Sequence, residues 1–159
     1  MTGAVYLLDT SVLLPLVRGK EFGKHISSTF HLEDMALRPL VCIVTVGEIW
    51  VIADRNGWGP QKREALQKML ANLVIVDLND QGVLDAYVEL DRVSQAQPKG
   101  AMNIPDNDLW IAATARAAGA VLLTADKHFL HFHPNHCLVG YVDPTHWLGG
   151  GTSRGGRLQ

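Results

Sequence analysis

Four stretches of this chain run apolar almost without a break: VYLL at Val5–Leu8, LVCIVT at Leu40–Thr45, LVIVDL at Leu73–Leu78 and AVLLT at Ala120–Thr124. A fifth, LVGYV at Leu138–Val142, is similar. A strand with one wet face alternates apolar and polar residues, whereas a strand covered on both faces stays apolar throughout. The segments between these runs carry helical spacing instead. Ser11–Val17 opens one helix, and Phe22, Ile26 and Phe30 mark a second within Glu21–Leu32. A third runs from Val46 into Ala53, before Asn56-Gly57 breaks the chain. Pro60 starts a fourth that reaches Asn72, since proline suits the first helical position. Val83, Leu84, Tyr87, Leu90 and Val93 share one face of a fifth. Asp108–Ala118 is a sixth, closed by Gly119. Strands alternating with helices predict an α/β three-layer sandwich: a central, mostly parallel sheet of about five strands with helices on both faces. Gln97–Pro105 reads as a loop, residues 1–146 as one domain, and the Gly-rich residues 147–159 as a disordered tail.

Composition narrows the functional classes. The chain has 159 residues and 47% hydrophobic content, enough for one real core. A net charge of -2 gives no global attraction to nucleic acid, so any basic surface drawn from the 14 Lys and Arg must be local. The two cysteines, Cys42 and Cys137, form no CxxC motif, and a reducing, cytoplasmic setting fits. The N-terminus shows no signal-peptide pattern, and no window approaches the ~18 apolar residues of a membrane span.

In a parallel α/β sheet, sites form outside the carboxyl ends of the strands. Asp9 follows the first strand, Glu48 the second and Asp126 the fourth, while Asp108 opens the helix before the fourth. Each acid alone has an ordinary structural reading. Asp9 is a helix cap, and Glu48 completes a capping box with Thr45. Asp106 and Asp108 suit the positive end of a helix dipole, and Asp126 is a turn residue. Together, four acids at one edge repel one another, and such a cluster persists when a cation neutralises it. Oxygen-only ligands point to a hard ion, Mg²⁺ or Mn²⁺.

The segments LLDTSVLL, TVGEIW, NDLWIAATA and LLTADKHF, in this order and at these intervals, resemble a PIN domain over nearly the whole chain, from Val5 to about Val142. The nearest subgroup by this likeness is the VapC-type toxin ribonucleases of toxin–antitoxin pairs. The resemblance implies catalytic, metal-binding acids at Asp9, Glu48, Asp108 and Asp126, the last at a position where the family also uses asparagine. It implies a lesser role for Asp106, and carboxylate-orienting or phosphate-contacting roles for Thr10, Ser11 and Thr124. It also implies an RNA substrate cut by a metal-activated water to leave 5′-phosphate and 3′-hydroxyl ends, a cognate antitoxin and a homodimer.

Substrate holding should fall to basic residues near the rim, although each taken singly also reads as part of a solvated helix face. Arg18, Lys20 and Lys24 form one group, Arg55, Lys62 and Arg63 another, and Arg116 and Lys127 lie near the site in sequence. Contacts of this kind go mostly to phosphate and read no sequence. The run HFLHFHPNHC holds His128, His131, His133, His136 and Cys137, but at no standard structural zinc spacing. Contact between His128 or His131 and substrate phosphate is a milder alternative. The four tryptophans read as core or interface, with Trp50 and Trp110 placed to pack a dimer. Other functional readings fit less well. A PIN-like RNA-processing nuclease without an antitoxin has the same site. A phospho-acceptor receiver would use Asp77 and Thr124, but it expects an acidic pair after the first strand, and Asp9 is followed by Thr10. A haloacid-dehalogenase-type phosphatase needs an aspartate where Ser11 stands.

Overall fold

Each strand begins where an apolar run meets the sheet and ends within a few residues. The computed structural model describes residues 3–34, 37–97 and 104–147. Strands β1 (Tyr6–Leu8), β2 (Leu40–Cys42), β3 (Val74–Val76), β4 (Val121–Thr124) and β5 (Val139–Tyr141) form one sheet in the order β3-β2-β1-β4-β5. Every pairing is parallel. Six helices connect and cover the strands: α1 (Thr10–Arg18), α2 (Glu21–Phe30), α3 (Ile43–Arg55), α4 (Pro60–Ala71), α5 (Gln81–Gln95) and α6 (Asp106–Ala117).

Side chains alternate across a strand, so neighbouring residues feed opposite layers. Leu7, Cys42 and Leu122 pack with Val83, Leu90, Ile111 and Phe132 on the α5–α6 side. Leu8, Val41 and Leu123 pack with Val12, Ile26, Ile49 and Leu66 on the other side. That is why β1, β2 and β4 are almost wholly apolar, since both their faces are covered; at the sheet edge β3 is apolar too, yet Val74 and Ile75 are exposed. The His-rich run after β4 opens with a 3-10 helix, Lys127–Phe132, whose Phe129 and Phe132 are buried in the core. Cys137 is buried and His133 Nδ1 accepts the Val139 N–H at 3.0 Å, so this segment is occupied with packing.

Two boundaries move. The second apolar run was expected as strand through Thr45, yet helix α3 starts at Ile43 with Cys42 as its N-cap residue. Strand-favouring residues at Ile43, Val44 and Thr45 yield to the tertiary demand for a helix there. The Thr45–Glu48 capping box therefore does not form: Thr45 lies inside α3, and its buried hydroxyl has no hydrogen-bond partner among the described residues. Helix α6 starts at Asp106, so Asp106 and Asp108 both stand in its first turn.

The final described residue, Trp147, stacks on Phe22 with ring centroids 6.2 Å apart and lies 4.9 Å from the His25 ring. The remainder of the expected tail, and residues 98–103 of the expected loop, lie outside the described residues. Among the described residues no helix is long and apolar enough to cross a membrane.

Candidate active site

With β1 and β4 at the centre of a parallel sheet, their carboxyl ends open side by side onto one rim. The Asp9 backbone N–H donates to the Leu123 carbonyl at 3.0 Å, extending the β1–β4 pairing by one residue and fixing where the carboxylate leaves the sheet. Asp9 is only 5% exposed. Its side chain does not cap α1; two hydroxyls hold it instead. Ser11 Oγ donates to Asp9 Oδ2 at 2.6 Å, and Thr124 Oγ1 donates to the same oxygen at 2.9 Å. Each hydroxyl is itself aimed by a backbone N–H. Ala125 donates to Ser11 Oγ at 2.9 Å, and Asp126 donates to Thr124 Oγ1 at 3.0 Å. A hydroxyl has one proton to give, so accepting from the backbone leaves that proton for the carboxylate. Burial raises the Asp9 pKa above the usual carboxylate range, and hydrogen bonds from Ser11 and Thr124, aided by nearby backbone amides, offset part of that rise.

Glu48 projects from the second turn of α3. Thr10 Oγ1 donates to its Oε1 at 2.7 Å, and Asn107 Nδ2 donates to its Oε2 at 3.3 Å. Thus α1, α3 and α6 meet over one carboxylate. Asp126 follows β4 and serves partly as the turn residue its sequence position suggested. Its Oδ1 accepts the His128 backbone N–H at 3.0 Å and lies 2.7 Å from His128 Nδ1.

Asp108 is different. Among the described residues nothing donates a hydrogen bond to its half-buried side chain. Burial, followed by the charges of Asp9, Asp126 and Glu48, pushes its pKa up to about 7, against a smaller lowering by His128. Four carboxylates from four separate stretches of sequence therefore share one electrostatic field. Asp106 does not join them: its Oδ1 accepts from the Tyr87 hydroxyl at 3.3 Å, and the Tyr87 ring stacks on Trp110 with centroids 3.8 Å apart. Asp77, the acceptor in the receiver reading, receives the Asn79 N–H at 2.9 Å in an exposed turn.

Asn107 was not among the expected site residues. Its position between two acids of α6's first turn was the available signal. Of the basic residues, Lys127 directly follows Asp126 and opens the 3-10 helix. Arg18 ends α1, roughly 12 Å along the helix from Thr10.

The donor set suits a hard divalent cation, because every group is a carboxylate or hydroxyl oxygen. Asp108 supplies the physical test: an acid without a donor among the described residues, repelled by three others, is a group a cation would stabilise. As placed, no three acidic, His or Cys side chains among the described residues close around a single point. The carboxylates share a field without forming a finished cage.

The sheet order, the rim and the cluster can be set beside known proteins. The profile described as "PIN domain" matches residues 6–133. The structure of VapBC2 from Rickettsia felis, bound to a DNA fragment from its promoter, aligns with a TM-score of 0.70 at 19% identity, covering 87% of this chain and 99% of that one. FitAcB from Neisseria gonorrhoeae aligns with a TM-score of 0.61 at 22% identity, covering 85% and 96%. VapBC-5 from Mycobacterium tuberculosis, of the VapBC family of toxin–antitoxin systems, aligns with a TM-score of 0.58 at 22% identity, covering 87% and 99%. No curated protein matches the chain. At these identities the solved structures establish the shared fold, and the profile, which spans most of the chain, establishes the family: this chain belongs to the PIN domain family.

Proposed function

We propose that this protein is a metal-dependent endoribonuclease and the toxin of a toxin–antitoxin pair, using Mg²⁺ or Mn²⁺. The observation that carries the nuclease reading is Asp108, left without a hydrogen-bond donor in the field of Asp9, Asp126 and Glu48. A fold maintains such repulsion at a cost, and a site that binds a cation turns that cost into affinity.

Asp9, Glu48, Asp108 and Asp126 would hold the ion, which when bound polarises a phosphoryl oxygen and activates water for attack on a phosphodiester. The chain's own residues prepare that chemistry. Ser11 and Thr124 fix one Asp9 oxygen, so the carboxylate is oriented before anything binds. Thr10 and Asn107 fix Glu48 between two helices. His128 anchors Asp126. Lys127 supplies positive charge at the rim for substrate phosphate, with Arg18 more remote. RNA as substrate, a homodimer and a cognate antitoxin complete the proposal. The antitoxin is supported by neighbours that are themselves toxin–antitoxin complexes.

The test is cleavage of a labelled total-RNA pool by purified protein with Mg²⁺, with Mn²⁺ and with EDTA, beside Asp9→Asn. Metal-dependent cutting that disappears in the variant is expected. No cutting by well-folded, antitoxin-free protein, or equal cutting by the variant, would remove the nuclease reading.

A further inference from the structure

One face of α3 leads away from the carboxylate cluster. Val44, Gly47, Glu48, Val51 and Arg55 follow one another at helical spacing, and with Asn107 they line an open groove of about 530 Å³. Its near end is Glu48, already tied to the cluster through Thr10. Its floor is apolar and unfilled: Val51 is 45% exposed, and a Cβ added at Gly47 would meet nothing within 4 Å. Its far end is Arg55 in the last turn of α3, exposed and without an ion pair or side-chain hydrogen bond among the described residues. Glu48 and Arg55 are seven residues apart on α3, so roughly 10 Å separates them along the axis. A strand whose scissile phosphate sits at the carboxylates would bring a neighbouring phosphate within reach of that guanidinium. Arginine is always charged, and its planar fork matches phosphate oxygens.

We propose that this groove carries the substrate strand away from the cluster, with Arg55 clamping a phosphate next to the one cut and the Val44–Gly47–Val51 floor supporting sugar and base without reading sequence. The inference rests on the nuclease reading above and adds the direction of the strand and a positioning residue for it.

Binding can be separated from cutting by working in an Asp9→Asn background and following a labelled single-stranded RNA by fluorescence anisotropy over a range of salt. Arg55→Ala is expected to weaken binding about 10-fold and to reduce the slope of log Kd against log salt by about 0.7, the loss of one phosphate contact on a single strand. Arg55→Lys should keep the slope, because charge rather than shape sets it. Gly47→Leu should obstruct the groove and weaken binding with no change in slope and no loss of melting temperature, since leucine suits a helix better than glycine. An unchanged slope in Arg55→Ala, or full RNA affinity in Gly47→Leu, would overturn the proposal. A changed oligomeric state in these variants with RNA binding intact would also overturn it, assigning the groove to a second copy of this chain. If the parent protein neither binds nor cuts RNA, the nuclease reading fails and this proposal falls with it. If the parent cuts while both variants behave like it, only the groove assignment fails.

Discussion

Asp9 and Asp108 stand at the same rim and are held in opposite ways. Asp9 is buried and carries two hydroxyl donors, each aimed by a backbone N–H from the end of β4. Asp108 is half-buried, has no donor among the described residues, and feels three other carboxylates. The fold has partly solvated one charge with its own dipoles and left the other without a donor among the described residues. A preoriented carboxylate fixes where a cation sits, and an unsatisfied one supplies the drive to bind it.

The contrast has consequences of different sizes. Replacing either acid by asparagine should cost more than ~100-fold in nuclease activity, beyond the loss usual for groups that merely support ligands. Initial rates of RNA cleavage would check this, and a milder loss at Asp9 would mean its preorientation serves packing instead. Ser11→Ala and Thr124→Val should each lower Mn²⁺ affinity by about 10- to 100-fold, because they free an oxygen the metal needs oriented. Calorimetric titration of each variant against the parent would show whether the hydroxyls act through Asp9.

Stability should separate the two acids by sign. In metal-free protein, Asp9→Ala strips the buried Thr124 hydroxyl and the half-buried Ser11 hydroxyl of their acceptor and should destabilise by about 1–3 kcal/mol. Asp108→Asn removes a repelled charge and should stabilise instead, by on the order of 1 kcal/mol after allowance for solvent screening of this half-buried group. In melting temperature this is a rise of about 2–4 °C. The direction with pH follows. The Asp108 pKa is raised in the folded protein to about 7. Its contribution is therefore fully present at pH below the unfolded carboxylate value and is lost as pH rises through about 7. Parent and Asp108→Asn should melt alike near pH 4.5 in EDTA and diverge toward pH 8, and parallel curves would contradict the assigned repulsion. Asp106→Asn, paired with Tyr87 on an exposed surface, should shift stability by less than about 0.5 kcal/mol and leave cleavage unchanged.

Much of this arrangement was legible in the sequence, for identifiable reasons. Runs without polar positions favour strands covered on both faces, so the parallel three-layer architecture was written into residues such as Leu7–Leu8 and Leu122–Leu123, although the edge strand β3 is apolar and exposed at Val74 and Ile75. The strand-end rule brings Asp9, Glu48, Asp108 and Asp126 toward one edge from the order of elements alone. The start of α3 was not legible, because Ile43, Val44 and Thr45 favour a strand locally and only packing turns them into helix. Nor was the division of labour among polar residues. Thr10 and Ser11 are adjacent in sequence, yet one holds Glu48 and the other Asp9, a choice made by the first turn of α1. Asp106 and Asp108 are two residues apart in one helix and face different neighbours, which separates a surface acid from a member of the cluster.

On the function proposed above, these carboxylates form one cation site completed from outside. Its most direct test is the melting temperature of parent and Asp108→Asn at pH 7.5, in EDTA and across a Mn²⁺ series. Asp108→Asn should melt higher than the parent without metal, Mn²⁺ should raise the parent as native-state binding requires, and the variant should gain little. A parent unmoved by saturating Mn²⁺, or a variant that gains as much as the parent, would contradict it.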